Sequence, residues 1–175
     1  MTKTKDENTA ADSFLSNPGN FWKLLSNRPV SVPIVAAADD KGPAGFLALS
    51  VSHVSADPPA MSVAIGKSTS ALATIVRAGS FAISFLPEDA SEAAEIFGGR
   101  RGVDGAARFE DGAWRRLATG APVFGRAVLA LDCALDRTFE YHKTVIAVGI
   151  IRAYSVECER PILMSCGGGY RTLQG

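Results

Sequence analysis

Two long apolar stretches, AVLALDCALDRTFEY (127–141) and KTVIAVGIIRAYSVE (143–157), follow one another with only His142 between them. Both are rich in aliphatic, β-branched and aromatic residues, which favour strands over helices. We therefore predict two long strands joined by a short turn at His142.

Shorter apolar runs, each bounded by glycine, proline or other turn-forming residues, predict further strands on both sides of this pair. The run GFLALSVSHVS (45–55) predicts one continuous strand with one buried face, because its side chains fall into two alternating sets. The other predicted strands are VSVPIVAAA (30–38), AMSVAIG (60–66), SFAISFL (80–86), in which Phe81, Ile83 and Phe85 share a face, and PILMSCGGGY (161–170).

Three short helices are predicted from their end signals. The first lies around Phe21–Ser26 and is stopped by Pro29. The second runs from about Ser70 to Ala78 and is closed by Gly79, a usual residue at a helix end. The third is PEDASEAAEIFGGR (87–100), with proline near its start and two glycines past its end.

These elements, six or seven strands with two or three short helices, predict a mainly β protein, a mostly antiparallel barrel. Strands outnumber helices and do not alternate regularly with them, which argues against a doubly wound parallel sheet. A chain of 175 residues with 47% hydrophobic content is enough for one domain. We place that domain at residues 14–175, after a polar and disordered tail at residues 1–13, with a long irregular section at 101–125.

Composition and charge argue against some partners. Eighteen basic and eighteen acidic side chains cancel, so neither nucleic acid nor an anionic membrane is expected as a partner. No apolar run reaches the length of a membrane span, and the start lacks a secretion segment, which predicts a cytoplasmic protein. Cys133, Cys158 and Cys166 are interpreted as reduced core thiols, and two histidines, His53 and His142, are too few for a zinc site, so no metal is expected.

The segment IGKSTSALATIVRAG (65–79) gathers one lysine and three hydroxyls where a strand passes into a helix. Because a helix start has unpaired N–H groups and partial positive charge, these residues could hold a phosphate. The alternative is that Ser68 or Ser70 only caps the helix and Lys67 is solvated. A nucleotide P-loop is rejected, since its pattern needs glycine where the chain has Met61.

Common catalytic motifs are not found in the sequence: there is no G-x-S-x-G elbow, no H-E-x-x-H and no G-x-G-x-x-G dinucleotide fingerprint. If the protein is an enzyme, its chemistry is therefore expected to be carried by a bound cofactor.

The order and spacing of several segments resemble the flavin reductase-like, FMN-binding split-barrel family over roughly Phe21 to Leu173. Those segments are GFLALSVSHVSADPPAMSVAIGKSTSAL, FAISFLP, FGGR, ARFE, LATGAPV, LDCAL and GGYRTL. The resemblance implies a homodimeric six-stranded split barrel that holds FMN or FAD and reduces it with NADH or NADPH. It also implies a partner, since members are similar to reductase components of two-component flavin monooxygenases.

The resemblance implies two groups of flavin-binding residues. The phosphate site falls on Lys67, Ser68, Thr69 and Ser70, and the strand along the isoalloxazine ring on Leu47, Ala48, Leu49 and Ser50. Many relatives have threonine at the position of Leu47 and serine at that of Leu49, so hydroxyls are replaced here by apolar groups. The alternative for the two leucines is core packing.

The resemblance also implies five residues outside these two groups. Phe97 and Arg100 approach the flavin tail, although Phe97 could equally close a helix in the core and Arg100 could be solvated. His142 stands where the family's Gly-Asp-His turn places a histidine for the nicotinamide, within Glu140-Tyr141-His142 in this chain, or is simply an exposed turn residue. Tyr170 covers the pyridine nucleotide or caps the barrel, and Trp114 in the irregular section is either packed into the wall or exposed to ligand.

Three functions are compatible with these residues. The first is an NAD(P)H:flavin oxidoreductase that supplies reduced flavin to a monooxygenase. The second is a flavoprotein that reduces another acceptor, such as a corrin or a metal chelate. The third is a non-catalytic flavin- or haem-binding module.

Overall fold

The computed structural model describes residue 14 and residues 16–110, 113–157 and 159–172. The predicted tail at residues 1–13 lies outside the described residues. Three α-helices are described: α1 (Pro18–Leu25), α2 (Ser70–Ala78) and α3 (Ser91–Phe97), together with 3₁₀ turns at Glu88–Ala90 and Gly105–Phe109. The described strands are β1 (Val30–Ser31), β2 (Pro33–Asp39), β3 (Gly42–Leu47), β4 (Val51–Ala56), β5 (Pro59–Gly66), β6 (Ser80–Phe85), β7 (Trp114–Arg116), β8 (Pro122–Phe124), β9 (Leu129–Tyr141), β10 (Thr144–Val156), β11 (Leu163–Cys166) and β12 (Gly169–Thr172).

The main sheet of the described chain has seven antiparallel strands in the order β3-β2-β6-β9-β10-β5-β4. Its longest members are β9 and β10, which pair along their length and turn at His142 and Lys143. The two long strands predicted from the sequence are thereby confirmed. The mainly β, antiparallel class is confirmed as well, whereas the main sheet of the described residues has seven strands and not the six that the family resemblance implies.

The two edges of this sheet are joined by a very short connection. β3 and β4 are consecutive in the chain yet stand at opposite edges, with only Ala48–Ser50 between them. Four Cα steps span at most about 14 Å, so the sheet must curl until its edges approach at this end. The Ala48 N–H donates to the Pro33 carbonyl (3.0 Å) and the Ser50 hydroxyl to the Ala64 carbonyl (2.9 Å), which ties the connection to both sides.

This closure corrects the prediction of one continuous strand at 45–55. The alternating pattern runs through the whole segment, but the chain leaves one edge after Leu47 and joins the other at Val51. Local alternation cannot reveal such a break, because the residues that fix it, Pro33 and Ala64, lie far away in sequence.

Smaller sheets flank the main one. The predicted strand at 30–38 is divided, since β1 joins a sheet in the order β1-β11-β12 and β2 joins the main sheet. The predicted final strand at 161–170 is a hairpin of β11 and β12. The section predicted as irregular at 101–125 contains, in its described part, one 3₁₀ turn and the β7–β8 hairpin.

The predicted helices are confirmed with adjusted ends. α2 has the predicted bounds, and Gly79 ends it with a left-handed φ of 63°. α1 begins three residues earlier than predicted, because Pro18 occupies its first turn and the Asn17 side chain accepts a bond from the Gly19 N–H. The third helix starts as a 3₁₀ turn after Pro87 and becomes α-helical only at Ser91.

The described core consists of two apolar clusters that meet at β2. Ile34 belongs to one cluster, whereas Val35 belongs to the other, as expected for a strand that is buried on both faces. The second cluster contains Phe81 and Ile83, with Phe85 packed against it, which confirms that these three residues share a face.

Candidate functional site

The polar segment between β5 and α2 forms a tight turn at the start of the helix. The Thr69 N–H donates to the Gly66 carbonyl at 2.9 Å, and Thr69 itself is the N-cap residue. The prediction that Ser68 or Ser70 caps the helix is therefore wrong. The Thr69 side chain makes no capping hydrogen bond, so it does not satisfy the N–H groups that a first helical turn leaves without partners.

A pocket of about 530 Å³ lies over this turn and along the exposed side of α2. Its volume falls within the range of roughly 300–1,000 Å³ that is typical of small-molecule sites. The structure thus brings together all four residues of the predicted phosphate site in one concave surface. The lining residues are Lys67, Ser68, Thr69, Ser70, Leu72, Ala73, Val76 and Arg77.

Arg77 is a second cation in this pocket, and the sequence analysis did not single it out. The helical spacing could have indicated it. Ala73 lies three residues after Ser70, and Arg77 lies four residues after Ala73, so all three residues share one face of α2. The pocket therefore offers positive charge at both ends and an apolar strip between them.

Each of these cations is paired with a carboxylate. Lys67 Nζ contacts Glu140 Oε2, so Lys67 is not merely solvated. The Arg77 guanidinium lies 2.7 Å from Asp39 Oδ2. Burial acts to raise the pKa of Asp39, but hydrogen bonds from the Lys41 N–H and from Arg77 outweigh it and hold that pKa below its ordinary value.

The turn that carries His142 lies directly beside the polar segment. Gly66 pairs with Thr144, and the Lys67 N–H donates to the Lys143 carbonyl at 2.9 Å. His142 has a positive φ of 49° and is exposed, with its ring in edge contact with Tyr141. Two predicted site regions that are far apart in the sequence are thus neighbours.

The predicted ring-binding residues separate into different environments. Leu47 packs against the first core cluster, which agrees with the core-packing alternative, whereas Leu49 is 42% exposed. Ala48 and Leu49 line a second pocket of about 230 Å³ together with Arg28 and other residues of the β1–β2 region. The Ser50 hydroxyl is engaged by the Ala64 carbonyl.

Phe97 is a core residue, as its alternative interpretation held. It is 4% exposed, and its ring lies 5.1 Å from that of Phe109 and 5.3 Å from that of Trp114. Trp114 is half-buried in the same cluster, where its ring centroid also lies 5.5 Å from that of Phe124. Trp114 is therefore packed into the wall.

Arg100 and Tyr170 are brought together at the end of α3. The Arg100 guanidinium lies 2.9 Å from a Glu95 carboxylate oxygen and 6.0 Å from the centre of the Tyr170 ring. Burial raises the pKa of Tyr170, Glu95 adds to the rise, and Arg100 opposes it. Arg100 is thus held at the surface by neighbours and is not simply solvated.

Two cysteines are described. Cys133 is buried in the second core cluster, as predicted, and burial with the nearby Asp132 charge raises the pKa of its thiol to about 12. Cys166 is only partly buried on β11, so it is not a core thiol, and Cys158 lies outside the described residues.

Within the described ranges, the side chains of His, Cys, Asp and Glu do not form a group of three or more that could hold a metal. The described helices also include none that is long and apolar enough to cross a membrane.

Comparison with known proteins identifies the class to which this fold and site belong. Residues 25–174 match the model of the flavin reductase like domain. The chain is 31% identical over 170 residues to the FMN reductase (NADH) RutF 1 of Methylorubrum extorquens (strain PA1), a match that covers 97% of this chain and 82% of that protein.

Solved structures agree with this match. The structure resembles BorF, the flavin reductase component of a bacterial two-component tryptophan halogenase, with a TM-score of 0.83 and 26% identity over 91% of this chain and 99% of that one. It also resembles the NADH:FAD oxidoreductase SgcE6 of Streptomyces globisporus C-1027, with a TM-score of 0.82 and 25% identity over 91% and 95% of the two chains. The chain belongs to the flavin reductase-like family, which confirms the family predicted from its sequence.

Proposed function

We propose that the protein is an NADH:flavin oxidoreductase that transfers a hydride from a nicotinamide cofactor to FMN or FAD. Relatives that match most of the chain are named FMN reductase (NADH) and NADH:FAD oxidoreductase. The single structural observation that carries the proposal is the pocket at the start of α2, which combines Lys67 with an N-cap residue that leaves the first turn uncapped.

The residues of this pocket fit the phosphate end of a flavin. A phosphate needs positive charge and hydrogen-bond donors, and here Lys67, the hydroxyls of Ser68, Thr69 and Ser70, and the N–H groups of the first turn supply both. The volume of about 530 Å³ also leaves room along α2 for more than a phosphate group.

The remaining predicted residues are proposed to position the ring system and the nicotinamide. Ala48, Leu49 and Ser50 lie in the connection between the sheet edges and would offer mainly backbone groups, since the Ser50 hydroxyl is already engaged. A bound flavin supplies an acceptor for the hydride, so the protein needs only to bind, orient and exclude water. His142, beside the polar segment, is proposed to contact the nicotinamide nucleotide.

Arg100 and Tyr170 form a cation–aromatic pair, in which Arg100 is proposed to approach the flavin tail and Tyr170 to cover the pyridine nucleotide or cap the barrel. Phe97 and Leu47 support this region from the core rather than by direct contact.

The finer architecture is proposed to be a split barrel. The three-residue link between the edges of a seven-stranded sheet supports it, because such a link requires the sheet to curl.

A homodimer and a separate monooxygenase partner are also proposed. Large apolar side chains are exposed on the β9–β10 hairpin, including Phe139, Tyr141 and Tyr154, and a second copy would cover such a surface. Sedimentation equilibrium tests the dimer, and a monomeric mass at working concentration would overturn it. BorF, named as one component of a two-component system, supports the partner.

The function is tested by following the loss of nicotinamide absorbance with NADH or NADPH, with and without added FMN or FAD. We expect oxidation that requires added free flavin and increases with its concentration. A yellow protein that needs a different acceptor would favour the second function considered above, and a protein that oxidises neither nucleotide under any of these conditions would overturn the proposal.

A further inference from the structure

We propose that Glu140 competes with the flavin phosphate for Lys67 and thereby lowers the affinity of the pocket for phosphorylated flavins. This inference rests on the proposed function. It gives a role to an acidic residue whose side chain pairs with Lys67, a cation that lines a pocket suited to anions.

Strand register brings Glu140 close to Lys67. Glu140 of β9 lies opposite Val145 of β10, and Val145 lies opposite Ile65 of β5. Directly opposed residues in neighbouring strands project from the same face of a sheet. The Glu140 side chain therefore rises on the face where Lys67 begins the polar segment, two residues after Ile65.

The backbone keeps the two side chains together. The Lys67 N–H donates to the Lys143 carbonyl at 2.9 Å, so the β9–β10 turn is attached to the polar segment itself. Lys67 Nζ contacts Glu140 Oε2, with 43% of the lysine and 71% of the glutamate side chain exposed. Lys67, which lines the pocket, therefore already has a carboxylate partner when a ligand's phosphate reaches it.

The negative charges of Glu140 and of the phosphate determine whether Glu140 raises or lowers the affinity of the pocket. A phosphate that binds Lys67 must replace the Glu140 carboxylate as its partner or share the ammonium with it. Sharing places two negative groups around one cation, and like charges at short range repel one another. Because an exposed ion pair is weak, we expect Glu140 to reduce affinity modestly and not to block binding.

A lowered affinity has a consequence for turnover. A flavin that is held less tightly dissociates faster, since affinity differences in one site fall mostly on the dissociation rate. Glu140 thus favours a flavin that exchanges as a substrate over one that stays bound as a prosthetic group.

The test compares FMN with riboflavin, which lacks the phosphate, by measuring the dissociation constant of each for purified variants at low salt. We expect Glu140→Gln to bind FMN about threefold to tenfold more tightly and to change riboflavin binding by less than about twofold. The gain should shrink at high ionic strength and in the Lys67→Met background.

Glu157→Gln is the matched control, because Glu157 is an exposed, ion-paired glutamate beyond the other end of β10. It removes the same charge and should leave FMN affinity unchanged. Equal or weaker FMN binding by Glu140→Gln, or an equal gain from Glu157→Gln, would overturn the inference.

Lys67→Met and Glu140→Gln together distinguish failure of the Glu140 proposal from failure of the proposed phosphate site. If Lys67→Met weakens FMN but not riboflavin while Glu140→Gln changes neither, the phosphate site stands and the role of Glu140 falls. If Lys67→Met leaves both ligands unchanged, the phosphate site itself is overturned, and with it the role of Glu140.

Discussion

Asp132, which is fully buried in β9, accepts hydrogen bonds from both the backbone N–H (2.6 Å) and the hydroxyl of Thr119. This pairing anchors the segment before β8 to the middle of the main sheet. It also satisfies a carboxylate that would otherwise be costly inside the protein. The sequence carried a signal for it, since an aspartate interrupts the apolar run of LDCAL (131–135).

Replacing either member of this pair should destabilise the protein. Asp132→Asn exchanges one accepting oxygen for an N–H₂ group and removes the negative charge that strengthens both bonds, and we expect a loss of about 2 kcal/mol in the free energy of unfolding. Thr119→Val keeps the backbone bond and should cost less, about 1 kcal/mol. Urea unfolding measures both, and equal stability of Asp132→Asn and wild type would contradict the buried pairing.

Removing the polar groups of the α2 pocket should weaken flavin binding. We expect Lys67→Ala combined with Ser68→Ala to weaken FMN about tenfold or more, on the order of 1.4 kcal/mol, with little effect on riboflavin. Fluorescence titration measures both constants. Unchanged FMN affinity would leave these residues only a structural role at the helix start.

Gly149 of β10 cannot accept a side chain. A Cβ there would lie 2.6 Å from Phe81 Cζ and 2.8 Å from Cys133 Cβ, both in the core. Gly149→Ala should therefore lower the free energy of unfolding by about 1–3 kcal/mol. Gly66→Ala is the control, because its Cβ would meet nothing closer than 3.5 Å, and a smaller loss for Gly149→Ala than for Gly66→Ala would refute the close approach.

Lowering the pH should remove the contribution of Asp39 to the free energy of unfolding. Its pKa is lowered in the folded state, so the unfolded chain takes up the proton first as the pH falls below the ordinary value of 3.8. The stabilisation is thus fully present above that pH and is lost as the pH drops through the folded value. Asp39→Asn should remove this component from the pH dependence of unfolding, whereas Asp104→Asn, at a largely exposed carboxylate, should not.

Cys133 should be inert in the native protein. With a pKa of about 12 and a buried position, its thiolate is scarce near neutral pH and inaccessible to reagents. Cys133→Ala should leave the number of thiols labelled under native conditions unchanged and remove one from the number labelled in denaturant. Loss of a natively labelled thiol would show that the core opens at this strand.

Local signals explain which elements could be predicted. α2 was bounded correctly because Ser70 follows a polar turn and Gly79 adopts the left-handed conformation that ends the helix. The β9–β10 pair followed from continuous apolar runs around one turn. The break at Ala48–Ser50 could not be predicted, since it is imposed by contacts across the curled sheet and not by the segment itself.

In the candidate site too, local sequence patterns could be predicted, whereas contacts between distant segments could not. Lys67, Ser68, Thr69 and Ser70 are adjacent in sequence, so their pattern predicted a common location. Glu140 is 73 residues from Lys67, and only the register of three strands reveals that they meet. Leu47 and Leu49 looked equivalent in the sequence, whereas one is packed in the core and the other is exposed.

The curled sheet that this short link closes also limits when the domain can be completed during synthesis. The hairpins β2–β3 and β4–β5 both lie within residues 33–66, yet the strands that separate them in the sheet, β6, β9 and β10, come from residues 80–156. On the ribosome, β2 can therefore pair with β6 once residue 85 has been made, whereas β5 must wait for its inner partner β10. The main sheet can therefore be completed only after β9 and β10, late in the chain, have been made.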